Sequence, residues 1–132
     1  MTLEFTNKKT LLHPELSYKI SGILFKVHNK LGRACREIQY GDLLEIEFKN
    51  ANLLFEREKI LPIKDIGEND KSNKVDFCID NKILLDIKSK KFVTKEDYFQ
   101  MIRYLKSSNF QLGLIVNFRS TYLKPKRVIN IN

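Results

Sequence analysis

Cysteine, histidine and long apolar runs are all scarce in this 132-residue chain. Cys35 and Cys78 are its two cysteines, far apart and without C-x-x-C spacing, which argues against a disulfide framework and a zinc site. Cys78 reads as a small core residue on a strand. His13 and His28 have no partner at ligand spacing, and they read as a helix-start residue and a helix-surface residue. No run approaches the ~18 apolar residues of a membrane span. Residues 1–9 carry no apolar leader segment, and no repeat or low-complexity tract is present. The expectation is one domain over residues 1–132, with no membrane association, in the cytoplasm or another reducing compartment.

Acids are also in the minority: 16 Asp and Glu face 24 Lys and Arg, giving a net charge of +8. That balance favours an anionic partner, nucleic acid first. Lysine-rich composition also serves plain solubility, so position has to decide. Lys82, Lys90, Lys91 and Lys95, then Arg119, Lys124 and Lys126, crowd the second half of the chain and are taken as phosphate contacts.

The stretch from Lys74 to Lys91 is the chain's organising element. It reads as two apolar strands around a turn, bearing Asp76, Asp86 and Lys88. A carboxylate among Val75, Phe77 and Ile79, or among Leu84, Leu85 and Ile87, loses water on folding and has to be paired, neutralised or holding a cation. Alternation along a strand puts Asp86 and Lys88 on one face and Leu85 and Ile87 on the other. A two-residue turn at Asp80-Asn81 would send the two aspartates to opposite faces. A three-residue connection through Lys82, or a bulge, sets Asp76 opposite Asp86.

Asp76, nine residues, then Asp86-x-Lys88 resembles the Asp…(Asp/Glu)-x-Lys order of the PD-(D/E)xK nuclease-like superfamily. The wider context is similar to its GxxExxY family: Glu37 and Tyr40 match that signature, with Ala34 in place of its glycine, and Gln100-x-x-x-Tyr104-Leu105 matches its Gln-x-x-x-Tyr-Leu. The resemblance implies an α/β, restriction-endonuclease-like αβββαβ core, a mixed sheet flanked by helices. It also implies phosphodiester hydrolysis in nucleic acid, DNA ahead of RNA, with Mg²⁺ as cofactor and Mn²⁺ as the alternative ion. Asp76, Asp86, Glu37 and the carbonyl of Ile87 would be the metal ligands. Lys88 would face the attacking water or the scissile phosphate, and Gln100 would orient one of them. Size and charge resemble small dimeric junction resolvases, so a homodimer is a further expectation. Two other readings stay open: a basic domain that binds nucleic acid without cutting it, and a protein-interaction scaffold.

The remaining elements follow in order. Pro14 opens a helix whose apolar face carries Leu16, Ile20, Ile23, Leu24, Val27 and Leu31, and Gly32 closes it. A second helix is expected over residues 36–50, with Tyr40, Leu43, Leu44, Ile46 and Phe48 as its apolar positions; Glu37 in its first turn also suits the helix dipole alone. A strand is expected over 53–63, ending near Pro62, then a polar loop at 67–73. Thr94 caps a third helix with a core stripe of Tyr98, Met101, Ile102 and Leu105 and with Gln100 and Tyr104 on another face. The apolar run at 110–118 suits a strand buried on both faces, and a last short strand is expected at 127–131.

Overall fold

The computed structural model describes residues 12–62 and 73–130. The expected polar loop, Asn73 excepted, and Ile131 lie outside the described residues. Helix α1 (Pro14–Leu31) has proline in its first turn and stops at Gly32, whose positive φ of 74° lets its N–H return to the His28 carbonyl. Helix α2 (Glu37–Asn50) follows, then strands β1 (Phe55–Ile60), β2 (Lys74–Ile79) and β3 (Ile83–Lys88). Helix α3 (Lys95–Ser108), strand β4 (Leu112–Asn117) and strand β5 (Lys126–Ile129) complete the order.

The five strands form one sheet in the order β1-β2-β3-β4-β5. All neighbours are antiparallel except β3 and β4, which run parallel because α3 carries the chain across between them. Helices α1 and α2 cover one face, packing Leu24, Leu44 and Phe48 with Phe77, Leu85 and Val116. Helix α3 covers the other, packing Met101, Tyr104 and Leu105 with Leu84 and Ile115. Every residue of β4 is buried, as expected for a strand roofed on both sides. Gly113 lies under α3, and a Cβ there would overlap the Met101 side chain, so close helix-to-sheet approach accounts for this glycine.

Three places depart from the expected helix faces. Tyr104, rather than Tyr98, sits in the core under α3, and Tyr98 is exposed. Ile46 is exposed while Glu47 is buried and paired with Lys26 at 3.0 Å. His28 is not free helix surface: its Nε2 lies 2.9 Å from the Ser120 carbonyl oxygen, which ties α1 to the β4–β5 connection. In each case helical period fixed the spacing but not which stripe met the sheet.

The β2–β3 connection contains three residues, Asp80, Asn81 and Lys82, between the paired Ile79 and Ile83. Asp80 and Asn81 both adopt the left-handed region, with φ of 53° and 55°, which Asp and Asn tolerate better than most residues. The pairing runs up to Phe77 opposite Leu85, so Asp76 and Asp86 are next in line. On the other side of β2 the ladder skips one step. Arg57 pairs with Phe77 and Lys59 with Val75, but Glu58 and Asp76 between them make no pair, and Glu58 has a φ of 52°. Strand alternation breaks at this point: Phe77 packs under α1 and α2, yet Val75 packs under α3.

Candidate active site

The sheet loosens where the acids are. Beyond Phe77 and Leu85 the aspartates replace regular β2–β3 pairing with side-chain bonds: the Asp76 N–H donates to Asp86 Oδ1 (3.3 Å) and the Ile87 N–H to Asp76 Oδ2 (2.7 Å). In an extended strand the carbonyl of Ile87 points to the same side as its N–H, toward the gap that holds Asp76. The two carboxylates therefore meet in a cleft between strands, not on one open face as strand parity alone had implied. Asp86 is only 3% exposed, while Asp76 is part-buried. Burial, and then the charge of Asp86, raise the Asp76 pKa from 3.8 to about 7.

Lys88 continues β3 on the α3 side. Its ammonium lies 3.3 Å from Asp86 Oδ2 and 3.7 Å from Asp97 Oδ1, and it donates to Gln100 Oε1 at 3.2 Å. Burial pulls its pKa down, but the carboxylates of Asp86 and Asp97 outweigh that and leave it above 10.5. Lys88 is thus a fixed cation near neutral pH, suited to stabilising negative charge and unsuited to accepting a proton.

Asp97, which sequence reading treated only as a helix-start acid, is the hub behind Lys88. It is buried, its Oδ2 accepts from the N–H and hydroxyl of Thr94, and the Lys90 ammonium pairs with it. Burial raises its pKa, yet Lys90, Thr94 and Lys88 together hold it below the usual value. The spacing Thr94-x-x-Asp97 is a capping pattern, and it was the available signal that this acid folds back onto the helix start. Asn117 is a second residue that sequence reading passed over. It donates to the Lys90 carbonyl (2.7 Å) and accepts the Lys90 N–H (3.1 Å), pinning the loop after Lys88 to the end of β4. Tyr104 donates to the Lys74 carbonyl at 2.9 Å, fixing the start of β2. Burial and the nearby aspartates push its phenol pKa well up, so it stays a donor.

Glu37 approaches from the opposite side of the sheet. It accepts the Ser89 N–H at 3.3 Å and lines, with Asp76, Glu58, Arg57 and Ile87, a cavity of about 170 Å³. Among the described residues no group of three or more Asp, Glu, His or Cys side chains is placed to hold one metal ion. The expected three-carboxylate set of Asp76, Asp86 and Glu37 is therefore not assembled. The aspartate pair by itself does fit a divalent cation: two carboxylates crowded enough for one to keep its proton to about pH 7 would lose that proton to solvent when such an ion took its place. Mg²⁺ commonly takes one or two carboxylates and retains its water.

Tyr40 explains the second half of the Glu37-x-x-Tyr40 pattern. Its hydroxyl donates to the Gly32 carbonyl (2.6 Å) and accepts the Cys35 N–H (3.2 Å), while its ring stacks on Phe118 at 4.2 Å. It closes the linker between α1 and α2, just upstream of Glu37. Of the expected basic contacts, Lys91, Lys95, Arg119, Lys124 and Lys126 are exposed at the end of the sheet to which Lys88 belongs. Lys90 is engaged by Asp97. Lys82 is misplaced in that expectation: it sits in the β2–β3 turn beside Asp80, separated from Lys88 by the length of β3, roughly 20 Å of extended chain.

No curated protein and no solved structure matches the sequence. The family model of the PD-(D/E)XK nuclease superfamily does, over residues 14–129. That span runs from the first turn of α1 to the last residue of β5 and includes Asp76, the Asp86-x-Lys88 strand and the helix that holds Lys88 in place, so the chain belongs to the PD-(D/E)XK nuclease superfamily.

Proposed function

We propose that this domain is a divalent-metal-dependent nuclease of the GxxExxY type, cutting phosphodiester bonds in nucleic acid, DNA before RNA. The observation that carries the reading is the Asp76–Asp86 pair in the strand gap, with a permanently charged lysine held against it by Asp97 and Gln100. Asp76, Asp86 and the Ile87 carbonyl would hold Mg²⁺, or Mn²⁺ in its place. When bound, the ion supplies a water nucleophile at neutral pH and charge for the phosphoryl oxygens. Lys88 stabilises the negative charge that develops on the phosphate. Gln100 spends its carbonyl oxygen on Lys88, which leaves its amide N–H groups to orient a water or a phosphate oxygen. Glu37 fixes Ser89 and faces the Asp76 cavity, where it acts on water and not as a direct ligand.

One observation favours a domain that binds without cutting: among the described residues the acids do not form a three-ligand set. A single experiment separates the readings. Labelled duplex, single-stranded and branched DNA, and RNA, are incubated with Mg²⁺, Mn²⁺ or EDTA. Cleavage that needs the metal and disappears in Lys88→Ala supports the nuclease. Tight, salt-sensitive binding with no cleavage of any substrate supports the binding domain.

A further inference from the structure

We propose that the cavity between the α1–α2 linker and the β4–β5 connection seats a phosphate of the bound strand beside the one that is cut. This assignment rests on the nuclease reading above. The cavity measures about 480 Å³ and is lined by Arg33, Ala34, Cys35, Ser89 and Arg119, a size in the range of ordinary ligand sites.

Its two guanidinium groups set it apart. Arg57, Lys88 and Lys90 each have an acid partner, whereas Arg33 and Arg119 are exposed and make no ion pair among the described residues. Both arginines line the same cavity, so an anion held there would meet two positive charges. Arg33 Nε donates to the Arg119 carbonyl at 2.9 Å, which anchors the side chain and leaves its terminal N–H groups for a ligand. Such a planar fork matches phosphate oxygens.

The walls are fixed in advance. Ser89 Oγ donates to the Cys35 carbonyl (3.1 Å), Tyr40 closes the linker, and His28 lies 2.9 Å from the Ser120 carbonyl oxygen. Little ordering is left to offset binding. Ser89 also joins the cavity to the acids: it follows Lys88 directly, and its N–H is held by Glu37, which faces Asp76. One strand lying along this end of the sheet meets the Asp76–Asp86 pair and then the arginines.

Cys35 makes occupancy measurable. Cys78 is 1% exposed, so alkylation of the folded protein reports on Cys35, in the cavity wall. The intact protein in EDTA is treated with iodoacetamide, alone, with inorganic phosphate, or with a single-stranded oligodeoxynucleotide bearing hydroxyl ends. Binding is followed in parallel by fluorescence anisotropy. The oligonucleotide is expected to slow Cys35 alkylation at least fivefold, and phosphate to do so only at millimolar concentration. The Arg33→Ala, Arg119→Ala double variant should lose that protection, bind about tenfold more weakly, and show a salt slope smaller by about 1.4, at roughly 0.7 per cation on a single strand.

The control is Lys19→Ala with Lys106→Ala, both exposed. Lys19 lies roughly 20 Å along α1 from Arg33, and Lys106 lies in the last turn of α3. Affinity lost equally in both double variants overturns the proposal, even if Cys35 reacts too slowly to report. Oligonucleotide binding that leaves Cys35 unprotected, with free phosphate alone protecting it, makes the cavity a site for free anions and also overturns it. Neither result touches the nuclease reading, which falls instead if no nucleic acid is cut in the presence of Mg²⁺ or Mn²⁺.

Discussion

Replacing Asp76 with asparagine should stabilise the metal-free protein above pH 7, even though it removes a residue central to the site. In the fold Asp76 holds its proton to about pH 7, against an ordinary value of 3.8, because burial and then Asp86 disfavour its charge. Between about pH 4 and pH 7 the native state binds more protons than the unfolded chain, so this residue's contribution falls as pH rises through that window. It is fully present below the unfolded value and lost once the folded carboxyl ionises. A shift of about three units corresponds to ~4 kcal/mol at ~1.36 kcal/mol per unit. That is a ceiling for a part-buried carboxyl; roughly 1–3 kcal/mol is the working figure, or a melting-temperature gain of about 3–10 °C. Asp97 and Glu45, held below the usual carboxylate range, give the opposite slope, but only near pH 4 and below. Thermal unfolding in EDTA at pH 5, 6, 7 and 8 tests the reasoning. The wild type and Asp76→Asn should nearly coincide at pH 5 and diverge by pH 8. Parallel curves, or a variant less stable at pH 8, would refute it.

Mg²⁺ at pH 8 should raise the wild-type melting temperature, by about 2.7 kcal/mol of stability at a hundred times its dissociation constant, and should barely move Asp76→Asn; calorimetric scans check this. Asp97→Asn should lower kcat about tenfold with KM little changed, because Lys88 loses its second carboxylate, whereas Thr94→Ala should cost ~1 kcal/mol of stability and leave turnover near normal. Tyr40→Phe keeps the ring on Phe118 but removes both linker hydrogen bonds. A loss of about 1–2 kcal/mol and faster alkylation of Cys35 are expected, measured by denaturant titration and mass spectrometry.

The αβββαβ order and the three-residue turn were legible because each rests on local periodicity. Pro14, Gly32 and Thr94 mark helix ends by backbone chemistry, and strand parity alone required an odd connection if Asp76 was to reach Asp86. The cleft was less legible. Glu58 lies in a left-handed conformation that no residue type near it announces, and the loss of alternation from Phe77 to Val75 depends on how β1 and β2 twist together. Helix phase was legible in spacing but not in direction: α3 has aromatic residues at 98, 99 and 104, and only the sheet decides that Tyr104 goes in with Asp97. Arg33 and Arg119 stand 86 positions apart, so nothing in the linear sequence joins them.

The outermost strands bear on how two copies of this protein could cooperate. An edge strand offers free N–H and carbonyl groups to any other chain. Here one edge is Phe55–Ile60, with Glu56, Arg57, Glu58 and Lys59 in succession, and the other begins with Lys126 and Arg127 just after Pro125. Glu56 and Glu58 are already engaged by Lys59 and Lys74. On the β5 side, Lys126 and Arg127 put charge on the edge and Pro125, just before the strand, has no N–H to give, so another chain laid there would have to cover charged side chains and forgo one hydrogen bond. Ribbon-like growth from either side is thereby discouraged. Any contact between copies of this domain is therefore disfavoured along these two edges.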